Sequence, residues 1–291
     1  DGTVRLSSFK PSKDARYAVY GMSRSGSDWQ DYRIMEIATR RTLDETLRWV
    51  KVSTVAWKDD GFYYSRYPAP ASGREKASIN EDHRVYFHRV GTDQSADQLV
   101  FSDPANLQRF HILETTPDER FLVLSISDRG KGKNGNAVSI RDTARGDTGF
   151  TPLIPSITDD SYDVIDHVGG RLLVQTNHGA PNGRVVLIDP RRPEERHWTT
   201  VLPERREPLQ GASTAGERLF ATYLQDVTTK AYVFDLDGTR ETAIALPGPG
   251  VAAGFQGEPG DRIVFYTFNS MNVPPAIYRY DIAARTSTVF R

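Results

Sequence analysis

A pattern that returns six times along the 291 residues limits this chain more than any other feature. A turn rich in Asp, Gly and Lys leads into Arg or Gly, and then into a run of β-branched and aromatic residues. The copies begin at Lys13, Lys58, Pro117, Gly169, Gly216 and Gly260, and their anchors are Arg16, Gly61, Arg120, Arg171, Arg218 and Arg262. Successive anchors lie 45, 59, 51, 47 and 44 residues apart, against the roughly 40–50 residues of a propeller blade. Each copy is followed by a second alternating run, such as Tyr32–Ile37, Val85–Val90 or Ile277–Tyr280, that ends in an Asp, Gly or Pro turn. Short β-rich runs separated by such turns read as up-and-down antiparallel strands, two pairs per repeat. The pattern predicts an all-β chain: a β-propeller of four-stranded antiparallel blades, with approximate blades over 1–45, 46–100, 101–153, 154–203, 204–248 and 249–291. Leu43 to Val50 is the one stretch whose pattern also permits a short helix.

Composition narrows the chemistry. The 37 basic and 38 acidic residues leave a formal charge of −1, which gives no general attraction to nucleic acid or to an anionic membrane. There is no cysteine, so thiolate nucleophiles, disulfides and Cys-based zinc sites are excluded. No apolar run approaches the length of a membrane-spanning helix. Opening at Asp1 suggests a processed protein or an excised piece, and either the cytoplasm or the periplasm suits it.

Catalytic signatures are missing. The six histidines, His83, His88, His111, His167, His178 and His197, form no His-x-x-x-His pair, so no metal or other cofactor is expected. His83 and His88 read as structural or surface residues. No Gly-x-Ser-x-Gly elbow occurs. The Gly- and Lys-rich stretch from Asp128 to Asn136 lacks the Gly-Lys-Ser/Thr ending of a phosphate loop and reads as a basic hairpin. Ser65 to Asp82, with its Pro, Ser and Gly content, reads as a long surface loop.

Several segments, in order, resemble the propeller of the prolyl oligopeptidase family, the proline-specific serine endopeptidases. They are Gly21–Trp29, Arg48–Ser53 followed by Ala56–Trp57, Tyr63–Pro68 and, most specific, His88–Asp97. The resemblance runs to Ala276–Tyr278 and implies a propeller of seven blades, of which six are present here. It also implies an α/β-hydrolase domain, outside this chain, that carries the Ser, Asp and His of the triad. No catalytic residue maps onto these residues. The implied role is to gate access of proline-containing peptides to that domain. Val52 and Phe110 are implied to wall the site for a residue upstream of the scissile proline. Asp28 and Lys51 match charged positions facing the cleft; Ser127 falls where the family can carry Arg, with Arg129 nearby as a substitute. With a blade missing, the Arg16–Tyr20 and Ile263–Phe268 runs are expected to lose a packing neighbour. A stand-alone binding or scaffold propeller is the alternative, since fold alone does not choose between them.

Overall fold

In the computed structural model, which describes residues 3–70, 80–130 and 132–291, the alternating runs become twenty-four β-strands, and no α-helix occurs among the described residues. Contacts divide the chain into two units: Asp1–Thr115 with Glu119–Ile157, and Thr116–Asp118 with Thr158–Arg291.

The first unit holds three repeats. β1 (Val4–Pro11), β2 (Tyr17–Arg24), β3 (Gln30–Glu36) and β4 (Arg41–Val50) form one antiparallel meander; β5 (Ala56–Lys58), β6 (Gly61–Arg66), β7 (Arg84–Arg89) and β8 (Gln98–Phe101) form the next. The two are joined into a single eight-stranded sheet by one residue pair, Val50 with Arg66. β9 (Arg109–Thr115), β10 (Phe121–Asp128), β11 (Ala137–Asp142) and β12 (Thr151–Ile154) make a separate four-stranded sheet.

The second unit holds three more sheets, each of four consecutive antiparallel strands. They are β13 (Tyr162–Val168) to β16 (Thr199–Leu202) through β14 (Arg171–Thr176) and β15 (Arg184–Ile188); β17 (Leu209–Ala215) to β20 (Thr242–Ile244) through β18 (Arg218–Gln225) and β19 (Thr228–Asp235); and β21 (Val251–Gly254) to β24 (Thr286–Val289) through β22 (Ile263–Asn269) and β23 (Ala276–Asp281).

The stretch that permitted a helix, Leu43 to Val50, is strand β4. Leu47 and Val50 are fully buried, and pairing with β3, with two irregularities in register, overrides the weak helical period. The loop expected from Ser65 starts later. Ser65 and Arg66 finish β6, Ser65 is buried with its Oγ donating to the His111 carbonyl at 2.7 Å, and Tyr67 is buried too. Residues 71–79 of that segment, and Lys131 of the basic hairpin, lie outside the described residues.

Two of the anchor arginines, Arg120 and Arg218, have a structural role. Arg120 directly precedes β10 and forks onto Asp142 at the end of β11, at 3.0 and 2.8 Å; Arg218 opens β18 and meets Asp235 at the end of β19 at 2.8 Å. The Arg120 hydrogen bond holds the Asp142 carboxyl below its ordinary range. The second repeat has Gly61 at this position because a Cβ there would lie 2.1 Å from the His88 carbonyl oxygen.

Unit cores are apolar and aromatic, built from Val19, Ile34, Trp57 and Phe62 in the first two repeats and from Phe220, Phe255, Tyr266 and Phe268 in the last two. In the end repeats Ala18, Val19, Val264, Tyr266 and Phe268 are buried, whereas Phe265, within the Ile263–Phe268 run, is exposed. Exposed apolar side chains include Leu6 and Phe9 on β1, and Phe265 and Phe290 toward the other end.

The His88–Asp97 segment, the most specific stretch of the sequence, closes a buried polar network. His88 Nδ1 lies 2.7 Å from Asp97 Oδ1, and neither side chain is exposed. The Tyr64 hydroxyl donates to Asp97 Oδ2 at 2.5 Å, and Gln94 Nε2 donates both to the Tyr64 oxygen and to the Arg48 carbonyl, each at 3.0 Å. Burial, and then the Asp97 charge, push the Tyr64 phenol far above its ordinary value. Hydrogen bonds among buried polar groups help to specify one packing; His88, its side chain fully buried, is a structural residue and not a surface one.

Candidate substrate-facing site

The first unit gathers the implied site residues around His83. β4 ends at Val50, and the next turn carries Lys51 and Val52. Trp49 and Val52 stand on either side with φ of 63° and 54°. A β-branched residue in the left-handed region is strained by about 1–3 kcal/mol and persists only where neighbours over-determine it. Here they do. The Tyr67 amide donates to the Trp49 carbonyl at 3.1 Å, the Tyr32 hydroxyl donates to the Ser53 carbonyl at 3.1 Å, and the Ser65 amide donates to Ser53 Oγ at 2.8 Å.

His83 supplies the fourth restraint. Its Nδ1 accepts from the His111 amide at 2.9 Å, which assigns the ring proton to Nε2, and Nε2 donates to the Lys51 carbonyl at 3.1 Å. His111 reciprocates, its Nδ1 donating to the His83 carbonyl at 2.6 Å. Burial, reinforced by the neighbouring His111, lowers the His83 pKa to about 4, and burial lowers that of His111 as well. His83 is therefore a neutral ring at pH 7, bonded at both nitrogens and buried.

Aromatic rings extend from it. Tyr67 packs on His83 with centroids 4.7 Å apart, Phe110 meets it edge-on at 5.8 Å, and Trp29 meets both Tyr67 (5.9 Å) and Trp49 (5.8 Å) edge-on. Lys51 Nζ sits 5.5 Å from the Trp29 ring centroid and 3.1 Å from Asp28 Oδ2. Asp28 is 78% exposed, so this pair contributes little stability and serves mainly to aim the two charges. On the neighbouring sheet Phe110 pairs directly with Ser127. Arg129 Nη1 donates to the Asn80 carbonyl at 2.5 Å. Burial raises the Tyr67 phenol, and the Arg129 charge opposes that rise.

Lys51 and Val52 are thus tied to Phe110 through His83, Asp28 through Lys51, and Ser127 through its register with Phe110. Sequence reasoning missed His83, His111, Tyr67, Trp29 and Trp49 as parts of this cluster. A signal was present: Trp29 and Tyr67 fall outside the β-runs that hold most aromatics of this chain.

In the second unit Asp118, Asp166 and His167 offer ligand atoms within 4.8 Å of one another. His167 Nε2 lies 2.7 Å from Asp118 Oδ2, and Asp166 Oδ2 accepts from Thr214 Oγ1 at 2.6 Å. Burial raises the Asp166 pKa. The His167–Asp118 pair, and the Asp166 bonds to Thr214 and to the His167 amide, hold these side chains in place.

The family described as the prolyl oligopeptidase N-terminal β-propeller domain matches residues 1–291. The chain belongs to that family. A prolyl endopeptidase of Elizabethkingia meningoseptica is 35% identical over 291 residues, covering all of this chain and 40% of the relative; that of Elizabethkingia miricola is 33% identical with the same coverage. A solved structure from a study of two prolyl endopeptidases and their inter-domain dynamics superposes with a TM-score of 0.86 at 34% identity, over 98% of this chain and 40% of that one. Prolyl oligopeptidase B of Galerina marginata, bound to a 35mer hydrolysis and macrocyclization substrate, shares the fold (TM-score 0.88, 22% identity) over 100% of this chain and 42% of its own. The chain therefore spans about 40% of the length of the curated relatives it matches. As a prolyl oligopeptidase propeller it has the all-β fold that its repeats predicted.

Proposed function

We propose that this propeller gates the active site of a proline-specific serine endopeptidase, which hydrolyses short peptides on the carboxyl side of proline. The observation that carries the reading is the end-to-end match with the propeller portion of prolyl endopeptidases. The Ser, Asp and His of the triad belong to an α/β-hydrolase domain of the same polypeptide, and the propeller restricts what reaches them. Val52 and Phe110, braced by His83, form an apolar wall for a residue upstream of the scissile proline. Asp28, Lys51, Ser127 and Arg129 set the polarity around it.

The test follows release of a chromophore after proline, with and without a serine-directed phosphonate. Residues 1–291 alone should give no inhibitor-sensitive turnover, and turnover by them would overturn the assignment of the triad elsewhere. In the whole protein, Phe110→Ala should raise KM about 5- to 30-fold for peptides with a bulky apolar residue upstream of proline, with kcat nearly unchanged, because wall contacts worth about 1–2 kcal/mol are lost. An unchanged KM would remove Phe110 from the site.

A further inference from the structure

At the turn ends of the last two sheets lies a cleft of about 520 Å³, a volume suited to a small molecule. Four arginines and three aspartates line it, and their pairing is uneven. Asp235 serves two guanidinium groups, Arg218 at 2.8 Å and Arg240 at 3.3 Å. Asp261 Oδ2 accepts from the Glu258 amide at 2.7 Å, and Asp281 Oδ1 from the Ala284 amide at 2.8 Å, so both carboxylates cap their own turns. Arg262 and Arg285 have no carboxylate partner among the described residues.

The repeat makes the Arg262 case informative. Arg262 stands to Asp281 as Arg120 stands to Asp142: in both, the residue after the aspartate donates its amide to the arginine carbonyl at 3.0 Å. Arg120 forks onto its aspartate, whereas Arg262 leaves Asp281 and lines the cleft. Arg285 is aimed by its turn, with φ of 56° and its amide donating to the Asp281 carbonyl at 2.8 Å. The floor is fixed by close approach: a Cβ on Gly216 would lie 2.4 Å from the Asp261 carbonyl oxygen and 2.5 Å from Ile282 Cδ1.

We propose that this cleft binds a phosphate monoester whose remainder carries hydroxyl groups, such as a sugar phosphate, through Arg262 and Arg285. Two guanidinium forks require a ligand with at least three acceptor oxygens and close to two negative charges. A phosphate monoester supplies both, whereas a single carboxylate saturates only one fork. The lone pairs that Asp261 and Asp281 keep after capping accept from the sugar hydroxyls, and they disfavour a bare anion. Val233 and Ile282 give the ring an apolar wall.

The test is isothermal titration calorimetry on the whole protein with glucose 6-phosphate, inorganic phosphate and gluconate. Glucose 6-phosphate should bind with a Kd below about 1 mM and more tightly than the other two. Arg262→Gln and Arg285→Gln should each weaken it at least about tenfold while keeping the wild-type melting temperature, and Arg191→Gln, at an exposed turn, should not. Absence of saturable binding, an equal loss in Arg191→Gln, or gluconate binding as tightly would overturn the site. Inorganic phosphate binding as tightly as the sugar phosphate would overturn the role given to Asp261 and Asp281.

Discussion

Replacing His83 by asparagine separates what its ring does by shape from what it does by titration. The Asn Oδ1 can take the place of Nδ1 and still accept from the His111 amide, whereas the shorter side chain gives up the Lys51 carbonyl and carries no proton at any accessible pH. In the folded chain His83 titrates near about 4, against its ordinary value of 6.5, because burial opposes its charge. The sign follows from linkage. Above pH 6.5 neither state is protonated at this residue and stability is independent of it. As pH falls below 6.5 the unfolded chain takes up a proton that the folded chain refuses, so stability declines, by at most about 1.4 kcal/mol per pH unit. The decline ends once the folded ring also titrates, and by about pH 4.5 it amounts to roughly 2–3 kcal/mol. Losing the ring contacts with Tyr67 and Phe110 should lower the stability of His83→Asn at neutral pH by about 1–2 kcal/mol. Its stability should then fall less steeply with acid. Urea unfolding followed by tryptophan fluorescence, at steps between about pH 7.5 and about pH 4.5, measures both effects. His111, shifted in the same direction, leaves some slope in both proteins. If the wild type and His83→Asn lose the same stability over that range, His83 is not a buried neutral base and its bracing of the Lys51–Val52 turn is wrong.

Asp97→Ala strands two buried donors, on Tyr64 and His88, and should cost about 3–5 kcal/mol in denaturant unfolding. Tyr64→Phe alone should cost about 1–2 kcal/mol, and the double variant should fall short of their sum by about 1–2 kcal/mol, because the tyrosine hydroxyl is then no longer orphaned. His178 is held by Asp160 at 2.7 Å and Glu195 at 3.0 Å, and these hydrogen bonds raise its pKa. The stabilisation is complete below its unfolded value of 6.5 and disappears as pH rises through the folded value. A proton NMR titration should place the His178 ring above 6.5, and Asp160→Asn should lower it more than Glu195→Gln does.

The repeat made the strands legible because each blade restates one local rule: turn, anchor, alternating run. That rule says little about β4, where a segment with a weak helical period is captured by pairing with β3. It says nothing of Arg262, whose anchor position matches that of Arg120 while its side chain points elsewhere. Val52, Lys51, Phe110 and Ser127 were reachable only through resemblance, since nothing about an isolated Val or Phe marks a wall. His83 was out of reach for a physical reason. Its role depends on His111, 28 residues on, and on the register that sets each backbone against the other's ring. The left-handed backbone at Trp49 and Val52 was equally hidden, because a tryptophan and a β-branched residue are poor candidates for that conformation.

One pair of residues, Val50 and Arg66, fastens the first two sheets main chain to main chain, and the turn with Lys51 and Val52 begins one residue later. Where two sheets meet only through side chains, the joint behaves like stacked plates that can slide, and a change of packing shifts one against the other. Here the joint is a rivet. Repacking the apolar faces of either sheet leaves the rivet where it was, so the Lys51–Val52 turn keeps its height and direction while the sheets around it adjust. That turn can then tolerate sequence drift in the cores behind it, and its geometry is most vulnerable to an insertion or deletion between Trp49 and Tyr67, which would pull the rivet out of register.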